Sequence, residues 1–475
     1  MTKAVWDLKS QLGDYKDEPV FDCLIAEFLL SEGRFVHKQE AVLVKYKVKT
    51  LEELAEKQRL EFAKLPKLQQ LFEEIEMPLI PVLYQMEQAG ILLNTKQLRK
   101  VGAELDQAII KAEEAIKKEI DFEINLNSPV QVGNYLAEKM GVPLAKTKTG
   151  RFATNESELV QHAENYPIIK DLLTYRELSK LRSTYVESLI EKVDDNSRLH
   201  TTYSQVAAST GRLASANPNL QNIPVVSDFG QKIKSCFVAD EGKVFLSFDY
   251  SQQELRILAH LTGEEKLIEA FKNNKDVHKT TASQLFNVDY DGVTKDQRMI
   301  AKTINFGIIY GMSSYGMSMG LQIPIEEAQL FIDTFYATYP KIKTYFDKYI
   351  NKGKIDGFVE TLLGRRRYVF EYPGQKFIDN NMRRILFNFP IQGTAADLMK
   401  KAMVDIQKEI IAKESDIKLL LQIHDDLVFE VPDDKEKNNK LIAGIRNIMC
   451  HVYPLVVPVE VDVKIGKNWG EMKIS

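Results

Sequence analysis

Residues 244–248 form an apolar run that ends on Asp249, and Tyr250-Ser251-Gln252-Gln253-Glu254-Leu255-Arg256 follows at once. This order sets a carboxylate where a strand gives way to a helix, a rigid place to hold a charge. Much later, Leu419-Leu420-Leu421-Gln422-Ile423 runs into His424-Asp425-Asp426, and Leu427-Val428-Phe429-Glu430-Val431 leads away again. Two strand-like segments around a short polar turn predict a hairpin with acids at its tip. Acids delivered by separate strands predict a site that holds divalent metal.

Between these segments, Arg298, Lys302, Phe306 and Tyr310 are spaced by four throughout. On a helix a step of four advances only about 40° beyond a full turn, so the four side chains form one slowly drifting stripe. Cations occupy its first half and aromatics its second, spread over roughly 18 Å. Such a stripe suits a ligand with phosphates at one end and a flat ring at the other.

Together the three segments resemble motifs A, B and C of family A DNA polymerases. Three further stretches stand in the order that family shows: Thr210-Gly211-Arg212-Leu213, Asn217-Pro218-Asn219-Leu220-Gln221-Asn222-Ile223-Pro224, and Asn388-Phe389-Pro390-Ile391-Gln392-Gly393-Thr394-Ala395-Ala396-Asp397. The resemblance covers residues 75–475. It implies an α+β fold, a right-hand polymerase with an antiparallel-sheet palm, helical fingers and a helical thumb. The implied division is 76–195 for the start of the polymerase region and the thumb, 196–262 and 388–475 for the palm, and 263–387 for the fingers.

The same resemblance implies an activity: template-directed addition of deoxynucleotides to a primer 3′ end by two-metal nucleotidyl transfer. Its partners are primer-template DNA and deoxynucleoside triphosphates, and its cofactor is a pair of Mg²⁺ ions, with Mn²⁺ as a substitute. Asp249 and Asp425 are the expected bridging ligands, Tyr250 adds its backbone carbonyl, and Asp426 is a third acid of the catalytic group. His278, Arg298 and Lys302 are assigned to the triphosphate, and Phe306 and Tyr310 to the sugar and base. Glu254 and Tyr310 crowd the 2′ position of the sugar, which argues for deoxynucleotides. Arg212, Asn388, Gln392 and His424 look like contacts to the primer terminus and minor groove, where acceptors common to all correct pairs report geometry without sequence. Arg365, Arg366 and Arg384 are expected on backbone phosphates. Two departures from the family pattern are Gln253, where an aliphatic residue is usual, and Asp426, where Glu is usual.

Residues 1–75 are Lys- and Glu-rich and read as helical, with Leu24, Ile25, Phe28 and Leu29 at helical spacing. Their place corresponds to the end of the family's proofreading exonuclease. No Asp-x-Glu strand and no Tyr-x3-Asp accompany them, so a vestigial or truncated segment useful for packing, without proofreading, is expected. A specialised repair or translesion polymerase of the same family stays open, as does an inactive nucleic-acid-binding scaffold, against which the intact acids and cations argue.

A net charge of -4 with 27% charged residues does not report on partners, because a nucleic-acid surface can be local. Gly364-Arg365-Arg366-Arg367-Tyr368 is the clearest cationic knot, and in isolation its simplest reading is a solvated loop. The 3 cysteines, Cys23, Cys236 and Cys450, have no metal-ligand spacing and cannot form an even disulfide framework. They fit a reducing compartment. With no apolar signal core at the start and no apolar run long enough to span a bilayer, a soluble intracellular monomer away from membranes is expected.

Overall fold

The computed structural model describes residues 3–15, 19–31, 38–120, 124–224, 227–369 and 380–474. Its first segment is not wholly helical: strands Lys3–Val5 and Val20–Asp22 pair in parallel ahead of the helix Cys23–Leu30. Asp22 explains the switch from strand to helix. Its Oδ1 accepts from the amides of Leu24 and Ile25 at 2.9 and 3.0 Å, capping the helix, while Oδ2 accepts from Leu8 N at 2.7 Å. Phe21, Phe28, Phe62, Phe72 and Ile75 share a core with Ile80 of the following region. Pro66–Leu71, the wider turn Phe72–Glu76 and helix α1 (Met77–Ala89) run on as one helical stretch, so the border expected at residue 75 falls inside a helix.

Two long helices, α2 (Thr95–Glu119) and α3 (Pro167–Lys180), pack together beyond it. Asn94 opens α2 by accepting from Gln97 N at 2.9 Å. Leu98, Val101 and Leu105 then repeat at helical spacing and are buried with Leu178, Leu181 and Phe237.

The apolar run 244–248 lies within strand β1 (Lys243–Tyr250). Strands β2 (Lys418–Ile423) and β3 (Asp426–Pro432) make the expected hairpin. With β4 (Val461–Gly466) and β5 (Lys473–Ile474) they complete a five-stranded antiparallel sheet of order β2-β3-β1-β4-β5. Side chains alternate between its faces. Leu246, Phe248 and Tyr250 join Leu427, Phe429, Val431, Val461 and Val463 in the largest core, whereas Phe245 and Val428 turn to the core beneath α2. Full burial of such a side chain contributes about 2 to 3 kcal/mol, and the central position of β1 is thereby fixed from both sides.

Helix α4 (Gln253–Thr262) leaves β1 through Gln252 in the left-handed conformation (φ 53°). It is followed by α5 (Val277–Leu285) and α6 (Lys295–Ile309), the latter started by a reciprocal cap between Thr294 and Gln297. The long helix α7 (Asn380–Glu409) and helix α8 (Lys435–His451) cover the large core. The expected border between 387 and 388 lies within α7, because one helix carries the chain from the helical region back to the sheet.

Candidate active site

The register of β1 brings the acids together. Asp249 stands opposite Asp426 on β3 and Asp462 on β4, and cross-strand neighbours share a face. Ser247, two residues back on that face, donates through its hydroxyl to Asp426, with oxygen separations of 2.7 and 2.9 Å. Asp425 occupies the hairpin turn, where His424 takes a left-handed φ of 53°. The Asp425 carbonyl accepts from Tyr250 N at 3.0 Å, which ties the turn to the end of β1.

Burial, with the neighbouring Asp426 and Asp425, raises the pKa of Asp249 to about 7 against an opposing pull from Lys464. Asp425 and Asp426 are also raised, first by burial. Among the described residues no three or more His, Cys, Asp and Glu side chains are grouped so as to hold a metal by themselves. A divalent ion nonetheless fits here. Mg²⁺ takes one or two protein carboxylates and completes its shell with substrate oxygens and water, and burial raises Asp249, Asp425 and Asp426 alike, which favours a cation beside them. Asp249 and Asp425 are the residues that can hold it. The Tyr250 side chain is turned into the core, its hydroxyl donating to Met449 O at 3.0 Å, so only its backbone is left for the cleft.

Arg298, Lys302, Phe306 and Tyr310 line the same cleft as Asp249 and Asp425, a space of about 520 Å³. Three of the four lie on α6, while Tyr310 is the first residue beyond it and its ring still stacks on Phe306 at 6.2 Å between centroids. Arg298 is held by Asp276, Nε to Oδ2 at 2.7 Å. Buried His278 has its pKa lowered to about 4, chiefly by burial and further by Arg298 and Lys302, with Asp276 opposing. Asn305 Nδ2 donates to His278 Nδ1 at 2.9 Å, so the neutral ring carries its proton on Nε2. The imidazole offers the cleft a hydrogen-bond donor without a charge.

Glu254 is the hub on the sheet side. One carboxylate oxygen accepts from the Tyr310 hydroxyl at 2.9 Å and the other pairs with Arg212 Nη2 at 2.5 Å, while the side chain is buried. The expected neighbourhood of Glu254 and Tyr310 is therefore present, and Arg212 joins it. Arg212, His424 and Asp425 also line an adjoining hollow of about 110 Å³ with Gln221, Gln422 and Ala395 of α7. Asn388 and Gln392 precede Ala395 on that helix and are half-buried, and Asn388 Oδ1 has no hydrogen-bond partner among the described residues.

One expectation is corrected. Arg365 cannot reach a nucleic-acid phosphate: only 2% of its side chain is exposed, its Nε pairs with Asp397 at 2.7 Å and its Nη2 with Glu76. The arginine-dense stretch is a tight hairpin between strands Phe358–Glu360 and Arg366–Tyr368, which turns the first arginine inward. Arg366 stays nearer the surface, over the Phe358 ring at 4.0 Å and 3.5 Å from Glu360. Arg384 is exposed, its Nε donating to Tyr310 O at 3.4 Å. Sequence reasoning missed Asp276, Asn305, Ser247 and Lys464. Of these, Asn305 and Ser247 fall within residues 298–310 and 244–248, where polarity in an apolar context was a readable signal.

An acid-tipped antiparallel sheet facing a cation-bearing helix across a cleft is the arrangement of a polymerase palm and fingers. The chain belongs to DNA polymerase family A, whose model matches residues 95–471. It is 43% identical over 407 residues to the thermostable DNA polymerase I of Thermus aquaticus, covering 85% of this chain and 48% of that protein. It is 42% identical over 409 residues to DNA polymerase I of Bacillus subtilis, covering 85% and 46%. The chain thus spans about half the length of these curated relatives. The POL domain of Pol1 from M. smegmatis, solved in complex with DNA primer-template and dNTP, superposes with a TM-score of 0.92 at 33% identity, covering 99% of this chain and 86% of that one. The fold is accordingly the right-hand one, with an antiparallel-sheet palm. Family A DNA polymerases are generally dependent on divalent metal. Among the described residues no helix is long and apolar enough to cross a membrane.

Proposed function

We propose that this chain is a template-directed DNA polymerase that adds deoxynucleotides to a primer 3′ end, with residues 76–195 as the start of the polymerase region and the thumb, 196–262 and 388–475 as palm and 263–387 as fingers. The observation that carries the reading is the meeting in one cleft of under-compensated carboxylates, Asp249 and Asp425, with Arg298, Lys302 and Phe306.

Asp249, Asp425 and the Tyr250 carbonyl would hold two Mg²⁺ ions, with Mn²⁺ as a substitute. When bound, such ions lower the pKa of the attacking hydroxyl and neutralise the triphosphate. Arg298 offers a planar fork to phosphate oxygens and Lys302 a compact charge that follows them. His278 adds the Nε2 proton, Phe306 packs against the base, and Glu254 beneath Tyr310 closes the space that a ribose 2′ hydroxyl would need. Arg212, His424, Asn388 and Gln392 serve the primer end and its minor groove, while Arg366 and Arg384 serve the backbone. Asp426, engaged by Ser247, orients groups beside the metal ligands.

Extension of a labelled primer on a defined template, with Mg²⁺ and deoxynucleotides, tests the reading. Template-directed elongation is expected from the wild-type chain. Tight primer-template binding with no elongation under any divalent metal would replace the enzyme with a scaffold.

A further inference from the structure

Arg365 occupies a position that none of the assigned roles explains. Its guanidinium is buried where the start of the polymerase region, the hairpin at 358–368 and helix α7 converge. Asp397 takes Nε, Glu76 takes Nη2, and Glu76 also receives Lys400 at 2.7 Å and Gln205 Nε2 at 2.6 Å. The Arg365 amide donates to Thr361 Oγ1 at 3.1 Å, and that hydroxyl donates to Asp397 Oδ2 at 2.7 Å. The group is thus fixed from several sides, and Nη1 has no hydrogen-bond partner among the described residues.

Against this fixed group lies Gly211, at φ 82°, in the turn closed by Gly211 N to Ala208 O at 2.8 Å. A Cβ built on Gly211 would sit 2.4 Å from Arg365 Nε and 2.6 Å from Cζ. Since Nε and Nη2 direct their hydrogens in plane to Asp397 and Glu76, what meets Gly211 is the flat face of the guanidinium. On the other side, a Cβ on Gly393 of α7 would come 2.6 Å from Thr361 Cγ2 and 3.3 Å from the Thr210 carbonyl. Two glycines therefore let the turn at 210–212 settle against Arg365 and α7. The next residue is Arg212, whose guanidinium is paired with Glu254.

We propose that the buried Arg365 guanidinium is the seat of the turn at 210–212, and that through it Arg365 is a positioning residue for Arg212 and the Glu254–Tyr310 gate on the nucleotide sugar. The inference rests on the proposed polymerase reading for its consequence, though not for its geometry. A rigid plate under Gly211 fixes where the Arg212 backbone starts, and a long side chain reaches Glu254 only from a fixed start. With the seat displaced, Arg212 loses Glu254, and Glu254 loses one of the two partners that hold it against the sugar.

Arg365→Ala would leave Glu76 and Asp397 short of a cation and endanger folding, so the test uses Gly211→Ala and Arg365→Lys, each checked by thermal unfolding. The readout is the ratio of ribo- to deoxynucleotide incorporation, which a general loss of stability leaves unchanged because it lowers both incorporations alike. Both variants are expected to raise the ratio, Gly211→Ala by about tenfold, the scale of one hydrogen bond to a charged group. In an Arg212→Ala background neither should raise it further. An unchanged ratio overturns the seat. So does a full additional effect in the Arg212→Ala background, and so does an effect of Gly211→Ala without one of Arg365→Lys, which would assign the turn to backbone strain alone. Absence of elongation by the wild-type chain would sink the polymerase reading instead. A crystal structure of Gly211→Ala then still decides the seat: an Arg212–Glu254 pair parted is the expected result, and a pair intact overturns it.

Discussion

The acids at the tip of the β2–β3 hairpin and the ion cluster around Arg365 are both buried, yet their charges are balanced in opposite ways. In the cluster, Glu76 and Asp397 are matched by Arg365 and Lys400. Burial alone would raise the pKa of Glu76, but Lys400 and Arg365 outweigh it and hold the carboxyl at about 2. Asp397 of the same cluster stays raised by burial despite Arg365, and Asp249 on β1, with Asp426 and Asp425 beside it in place of a paired cation, is driven to about 7. Buried charges are tolerated when paired and hydrogen-bonded, and are costly when alone. A matched cluster holds elements together, whereas an unmatched one is where the proposed metal ions would be held.

The hardest test of this contrast is to remove one acid from each side. Asp249→Ala and Asp425→Ala should each lower primer extension by at least about 10⁴-fold, since metal-held charge stabilises the transition state by several kcal/mol. Their unfolding temperatures should equal or exceed that of the wild type, because repulsion is relieved. Extension within tenfold of wild type would take that residue out of the catalytic group. Glu76→Ala should do the reverse, costing about 3 to 5 kcal/mol by leaving Arg365 and Lys400 unmatched. Urea unfolding measures it, and a loss under about 1 kcal/mol would mean the cluster is no support.

The pH dependence of stability separates the two regions by sign. Asp249 has a folded pKa above its ordinary value, so its contribution is fully present below about pH 4 and is lost as pH rises towards 7. Glu76 is the converse: its contribution is present above its ordinary value of 4.5 and is lost as pH falls towards 2. In EDTA the wild-type chain should therefore lose on the order of 3 kcal/mol between pH 4 and 7 that Asp249→Asn does not lose. Parallel curves for the two proteins would place the repulsion elsewhere.

The smallest effect concerns an unmatched group that carries no charge. Gln253 is 3% exposed, and neither atom of its amide has a hydrogen-bond partner among the described residues. Gln253→Ile should stabilise the fold by about 1 to 2 kcal/mol, as expected when unsatisfied polar atoms are replaced by apolar ones of similar shape. Calorimetry should show a higher unfolding temperature. A fall would mean that the amide has a partner in solution, such as an ordered water.

Local signals made much of the site legible in advance. The strand carrying Asp249, the hairpin around Asp425 and the four-residue spacing of Arg298, Lys302, Phe306 and Tyr310 each depend on neighbours in sequence; the strand runs one residue further, to Tyr250, and Tyr310 falls just beyond the helix that holds the other three. The borders expected at 75 and 387 both fall inside helical runs, because motifs mark where chemistry sits and not where a helix stops. Arg365 misled for a related reason. Three adjacent arginines look alike in a sequence, and only the fold reveals that Glu76, far earlier in the chain, waits beside one of them.

Periodicity, capping and the choice of side chain act over a few residues, so the elements and the chemistry they carry could be read along the chain. Tertiary structure decided which charges were matched. Pairing of Arg212 with Glu254, of Arg298 with Asp276 and of Arg365 with Glu76 joins residues distant along the chain. A charge is settled by what lies within a few ångströms of it once water has been removed, and that neighbourhood exists only after the chain has folded.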